Sequence, residues 1–182
     1  MSDIRTITFT ATKGGSGTST IAAITALTSG VRTLLVDQSQ SHDLYAVVAL
    51  TPTSSISELT STVDVAIGDE WDDEGYELVV IDRGLNAKPV DGAENLIVTR
   101  KCYLSLRAAN ASRNRYDGVV VVDETERALT ISDVKNVLGL PVVAVVPYDT
   151  RISRSVDAGM LASRADQYAE YLKDVVKASV IA

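Results

Sequence analysis

The segment Thr12-Lys13-Gly14-Gly15-Ser16-Gly17-Thr18-Ser19-Thr20 constrains this chain more than any other stretch. It follows residues 4–11 (IRTITFTA), an alternating, β-branched run that reads as a strand. It precedes a helix predicted from about Thr18 to Ser29, with Gly30 as its stop. Glycines at 14, 15 and 17 let the backbone curl so that successive N–H groups point inward, and the helix N-terminus adds a partial positive charge. Ser19 and Thr20 can cap that helix end or offer hydroxyls to a metal and a phosphate. A plain glycine turn with Ser/Thr caps would use the same residues, but its place between a strand and a helix points to a phosphate-binding loop.

The rest of the chain continues the alternation. Thr33–Asp37 (TLLVD), residues 63–67, residues 76–82 (YELVVID), 95–99 (NLIVT), 116–123 (YDGVVVVD) and 142–146 (VVAVV) read as strands. Helical patterns are predicted within 41–50, from the end of the 95–99 strand through Ala111, over 130–138, and over 155–178 with Gly159 interrupting. Near-continuous apolar strands between helices imply a mostly parallel sheet covered on both faces. The expected fold is α/β, a single doubly wound domain over residues 1–182 with about six or seven strands.

Composition narrows the function. The chain has 182 residues, 46% of them hydrophobic, and a net charge of −7, so any contact with nucleic acid must come from a local basic patch. One cysteine, Cys102, excludes an intrachain disulfide or a zinc cluster. One histidine, His42, excludes multi-histidine metal sites and reads as a loop residue. Neither a signal peptide nor a membrane-length apolar run is visible, which implies a cytoplasmic protein.

The glycine loop resembles the deviant Walker A loop of the ParA/MinD family of P-loop ATPases, Lys-Gly-Gly-x-Gly-Lys-Ser/Thr-Thr. Further landmarks occur in the family's order. Residues 33–40 (TLLVDQSQ) resemble the strand and switch segment Val-Asp-x-Asp-Pro-Gln, and 76–82 resembles the Walker B strand. Residues 94–108 resemble the segment after the next strand, and 138–159 the Leu-Pro-strand-Pro-Tyr-Asp segment.

This resemblance implies a role for each matched position. Lys13 corresponds to the signature lysine that reaches a partner's phosphates across a nucleotide-sandwich dimer. Gly14, Gly15, Ser16, Gly17, Thr18, Ser19 and Thr20 form the phosphate loop. Ser19, Asp37 and Asp82 correspond to the residues around Mg2+, and Pro147, Tyr148 and Asp149 to the segment beside the adenine. Lys13 and Asp37 are the implied catalytic groups. Three positions depart from the pattern: Thr18 stands where the family has the P-loop lysine, Ser39 where it has the aspartate that orients the attacking water, and Asp123 where asparagine is common. Losing the lysine removes a charge-assisted hydrogen bond of about 1.5–3 kcal/mol. Losing a preorganised group facing developing charge slows turnover on the order of 10²–10³-fold. Hydrolysis is therefore expected to be slow or absent.

Arg100, Lys101, Arg107, Arg113 and Arg115 lie in a stretch without acids, 100–116, with Arg100 and Arg107 predicted on one helical face. In an acidic protein such a segment is a candidate for non-specific DNA contact. Arg151, Arg154 and Arg164 form a second, weaker basic group. The acidic stretch 68–75 (GDEWDDEG) reads as an exposed loop. The last helix carries Tyr168, Tyr171, Leu172, Val175 and Val176 on one face and mixed charges on the other, so it reads as a core helix and no membrane contact is expected. The resemblance implies a compact ParA-like partition protein of a plasmid or phage. It would use ATP and Mg2+, form a homodimer, bind DNA non-specifically and work with a ParB-like or other centromere-binding partner. The alternatives are a nucleotide-independent pseudo-ATPase serving as an adaptor and a MinD-like positioning protein.

Overall fold

The computed structural model describes residues 4–177, with the side chain of Asn114 left out; the predicted helix end at Ala178 lies outside the described residues. The strands are β1 (Arg5–Ala11), β2 (Thr33–Asp37), β3 (Ser57–Glu58), β4 (Val63–Ile67), β5 (Leu78–Leu85), β6 (Glu94–Arg100), β7 (Gly118–Asp123) and β8 (Val142–Pro147). They form one eight-stranded sheet in the order β3-β4-β2-β5-β1-β6-β7-β8. Every neighbouring pair is parallel except β3–β4. The strand count exceeds the six or seven expected, because β3 is a two-residue antiparallel edge too short to leave a pattern.

The helices are α1 (Thr18–Leu27), α2 (Asp43–Val47), α3 (Tyr103–Asn110), α4 (Ile131–Leu138), α5 (Thr150–Asp157), α6 (Leu161–Arg164) and α7 (Ala169–Lys177), with 3-10 turns at Arg113–Arg115 and Ala165–Tyr168. The predicted helix over 155–178 is thus several pieces. Gly159, in the left-handed region at φ 65°, separates α5 from α6. Thr130 starts α4 through a capping box: its backbone N–H donates to Asp133 (2.7 Å) while its hydroxyl accepts from the Asp133 N–H (3.2 Å).

The two-residue period of the strands divides the core between the sheet faces. Ile7, Phe9, Leu35, Val80, Val98 and Val120 face α1 and α7. On the other face Ile97, Val119 and Val121 pack with Leu106 of α3 and Val134 and Leu138 of α4. The remaining patch, Leu34, Val36, Ala66, Val79 and Ile81, is packed against Trp71, Tyr76 and Ile4 rather than against a helix. The acidic stretch expected to be only an exposed loop therefore sends Trp71 onto the sheet. The final helix is a core helix, with Tyr168, Leu172 and Val175 buried. Arg5 secures its end by donating to the carbonyls of Val175 (2.8 Å) and Val176 (3.1 Å) while pairing with Glu94 (2.6 Å).

This topology brings the glycine loop after β1 beside the carboxyl ends of β2 and β5, where ligands gather in doubly wound sheets.

Candidate nucleotide site

The loop folds as a strand–turn–helix cradle. Gly15 and Gly17 take left-handed conformations, φ 72° and 89°, that a side chain would strain. The Ser16 hydroxyl donates to the Lys13 carbonyl at 2.7 Å and closes the turn. Helix α1 begins at Thr18, and the Ile21 N–H bonds the Gly17 carbonyl at 2.9 Å, leaving the first-turn N–H groups available to an anion. Lys13, Gly14 and Gly15 are exposed, Thr18 is buried, and Ser19 and Thr20 are half-buried. The loop forms one wall of a cleft of about 720 Å³, whose far wall includes Ser39 and Gly84.

Two buried aspartates lie next to residues that line this cleft, Asp37 just before Gln38 and Ser39 and Asp82 just before Arg83 and Gly84. Asp37 and Asp82 are register partners at the ends of β2 and β5, and both are fully buried. Asp37 Oδ1 accepts from the Ser39 N–H (2.9 Å) and hydroxyl (2.7 Å), and Asp82 Oδ1 accepts from the Gly84 N–H (2.9 Å). Asp37 Oδ2 and Asp82 Oδ2 have no hydrogen-bond partner. Burial pushes the Asp82 carboxyl above its ordinary range; Ser19 and the Gly84 N–H oppose the shift, and the charges of Asp37 and Asp43 add to it. The unpartnered Oδ2 atoms of these register neighbours, with the Ser19 hydroxyl beside Asp82, offer hard oxygens of the kind that fits Mg2+. Among the described residues no group of three or more His, Cys, Asp or Glu side chains is placed to hold a metal. A Mg2+ here would complete its shell with water and phosphate oxygens, as this cation usually does.

Ser39 is turned inward. It is 5% exposed, its hydroxyl is committed to Asp37, and it packs so closely on Gly84 that a methyl there would lie 2.9 Å from the Ser39 Cβ. His42, in a left-handed conformation before α2, has Nδ1 3.7 Å from Asp37 Oδ1, beyond hydrogen-bonding reach. On the other side of the loop a smaller hollow, about 160 Å³, lies among Gly17, Thr20, Pro147, Tyr148 and Asp149. Tyr148 is exposed there, and its N–H bonds the Asp123 carbonyl at 2.8 Å. Asp149 caps α5 and pairs with Arg151 at 2.6 Å, which holds its carboxyl below the usual range. The Asp123 carboxylate pairs with Lys101 at 2.5 Å.

The basic segment is divided between two environments. Arg100 is the last residue of β6 and not part of a helix, because Cys102 is extended (φ −133°) and α3 starts only at Tyr103. It therefore shares no helical face with Arg107, contrary to the expectation. Arg100 pairs with Glu124 at 2.7 Å, and Lys101 is held by Asp123. Arg107 and Arg115 are exposed, and Arg113 donates to the Asn110 side chain.

Two groups near the site left no usable signal in the sequence. Tyr45 is buried on the short helix α2, its hydroxyl lacks a partner, and burial together with the nearby Asp37 charge raises its pKa. Glu124 follows β7 at the level where β6 ends, so only the strand register reveals that it meets Arg100.

No family model and no curated protein matches this sequence. Solved structures do match it. The MinD protein of Pyrococcus horikoshii, complexed with Mg-ADP, superposes with a TM-score of 0.73 at 17% identity, covering 98% of this chain and 96% of its own. A ParA family ATPase from Chlorobium tepidum gives 0.68 at 18% identity, over 94% of this chain and 96% of its own. A putative plasmid partition protein from Borrelia burgdorferi, bound to AMPPNP, gives 0.60 at 12% identity, over 97% and 100%. The fold is that of MinD and ParA. This MinD/ParA fold extends along nearly the full length of the chain, as the sequence landmarks imply, and no helix among the described residues is long and apolar enough to cross a membrane.

Proposed function

We propose that this chain is a compact ParA-like partition or positioning protein that binds ATP with Mg2+ in the cleft beside the glycine loop. The observation that carries the reading is the pair of buried carboxylates in register on β2 and β5, each with an unpartnered oxygen, with Ser19 at the end of the glycine loop beside Asp82. The loop N–H groups and the start of α1 would hold the phosphates, Ser19, Asp37 and Asp82 would hold Mg2+, and Pro147, Tyr148 and Asp149 would line the nucleoside end. Bound Mg2+ would supply the charge that neutralises the phosphates. Lys13, exposed at the mouth of the cleft, is free to reach a second copy of the chain. Thr18 supplies no cation and Ser39 no base, so turnover in this reading is slow. DNA contact falls to Arg107, Arg113 and Arg115, since Arg100 and Lys101 are committed to carboxylates. The dimer would answer to a ParB-like or other centromere-binding partner.

A nucleotide-independent adaptor is the second reading, favoured by the burial of Thr18 and by the turn of Ser39 onto Asp37. Calorimetric titration with Mg·ATP and Mg·ADP separates the two. Saturable binding that Asp82→Asn weakens supports the first, and no heat with either nucleotide supports the second.

A further inference from the structure

The phosphate loop lacks its lysine, yet a cation touches it from the side of the smaller hollow, which Arg100 helps to line. Val98 packs in the α1-side core, and Arg100, two residues on, leaves β6 on that same face. Its Nη2 donates to the Gly15 carbonyl. The contact is close enough that a methyl built at Gly15 would lie 3.8 Å from that nitrogen. Its Nη1 pairs with Glu124 at 2.7 Å, and Glu124 also pairs with Arg127. Two guanidiniums share one carboxylate, leaving one positive charge in excess on that side of the loop.

From this arrangement we infer that Arg100 is a positioning residue for the phosphate loop, holding the Gly15–Ser16 peptide so that its N–H points into the cradle and offsetting part of the charge missing at Thr18. The inference rests on the nucleotide reading above. In a planar trans peptide the C=O and the next N–H point in opposite directions. A guanidinium on the Gly15 oxygen therefore fixes the Ser16 N–H toward the opposite side. It also polarises the peptide, and hydrogen bonds in series strengthen one another. A loop with glycines at 14, 15 and 17 loses much conformational entropy when it orders, and an anchor already made in the empty state lowers that cost on binding. Glu124 orients Arg100 but opposes its charge, so the two partners have opposite electrostatic effects on an anion in the cradle.

That opposition is the test. Mg·ADP affinity is measured by calorimetry on the full chain and on Arg100→Gln, Arg100→Lys and Glu124→Gln, with melting temperatures alongside. Arg100→Gln is expected to weaken binding roughly 10- to 100-fold, the scale of one charge-assisted hydrogen bond. Arg100→Lys is expected to recover part of the loss, and Glu124→Gln to bind as tightly as the parent or tighter. An ion pair that only stabilised the fold would give equal losses of melting temperature and no split in affinity, and that result overturns the inference. If Arg100→Gln does not fold, Arg100→Lys against Glu124→Gln makes the same comparison, with changes of the same sign overturning it. If the parent binds no Mg·ADP, the nucleotide reading has failed on its own. The loop contact is then judged by the Ser16 amide nitrogen resonance, expected to move upfield in Arg100→Gln; an unmoved resonance overturns the positioning role.

Discussion

Asp37 and Asp82 stand opposite each other across β2 and β5, and each keeps one buried carboxylate oxygen without a partner. Neighbouring strands run about 4.8 Å apart, so two ionised groups at this register repel one another in a medium that screens poorly. A divalent cation between them would turn that repulsion into a binding site, and without one the protein carries a local destabilisation.

The first prediction follows from the Asp82 carboxyl, which burial holds above its ordinary range. A group whose folded pKa exceeds its unfolded value contributes stability below the unfolded pKa and loses it as pH rises through the folded one. Without Mg2+, the Asp82 contribution is therefore expected to fall as pH rises from about 4. Asp82→Asn should flatten that part of the profile and raise the melting temperature at neutral pH by roughly 2–4 °C, the shift that ~1 kcal/mol produces in a domain of this size. Added Mg2+ should stabilise the parent and not the variant. Parallel pH profiles for the two proteins would contradict this account.

The second concerns the loop position without a lysine. Thr18 is 8% exposed in the first turn of α1, beside the cradle. Thr18→Lys should tighten Mg·ATP by roughly 10-fold or more, the worth of one charge-assisted contact. The parent should turn over well below ~1 s⁻¹ even with DNA and a partner present, an outcome read by phosphate release. Unchanged affinity in Thr18→Lys would mean that phosphates are not held at this end of the loop.

The third tests the packing between the two aspartate-bearing segments. Gly84 has φ +62°, and a methyl there would meet the Ser39 Cβ at 2.9 Å and its Cα at 3.2 Å. Gly84→Ala should cost about 2–3 kcal/mol in urea unfolding, combining left-handed strain with overpacking. Gly92, at φ +77° with nothing within 4 Å, isolates the backbone part, and Gly92→Ala should cost only ~1 kcal/mol. Equal costs at the two positions would show that Ser39 yields freely.

The contrast between these glycines also indicates what the sequence could reveal. The cradle was legible because glycine placement, strand and helix start all act within nine consecutive residues. Strands β2 and β4 were legible to the residue, since Arg32 and Gln38 bound the first and Thr62 and Gly68 the second. The orphaned oxygens of Asp37 and Asp82 and the Gly84–Ser39 contact depend on which strands become neighbours, and β2 pairs with β5 across a long intervening segment. Trp71 looked like part of a solvated acidic loop because its cover over Val36 and Ile81 is likewise non-local. Arg100 is expected on a helix because the pattern starts that helix at the end of the 95–99 strand, whereas β6 runs one residue further and α3 starts only at Tyr103.

The last prediction concerns DNA. With a net charge of −7, the chain can hold a polyanion only through a patch separated from its acids. Arg107 and Arg115 are exposed around α3 and the 3-10 turn that follows, while Arg151 is occupied by Asp149. Binding by the first group should be independent of sequence and should weaken steeply as salt rises, because counterion release drives it. The double change Arg107→Glu and Arg115→Glu should abolish the mobility shift at low salt and move the melting temperature little, since neither side chain is in the core. Arg151→Glu should leave the shift nearly intact. A double variant that still retards DNA would move the contact to Arg154 and Arg164. A parent protein that gives no shift with or without Mg·ATP would remove DNA from the proposed function and leave the adaptor reading as the stronger one.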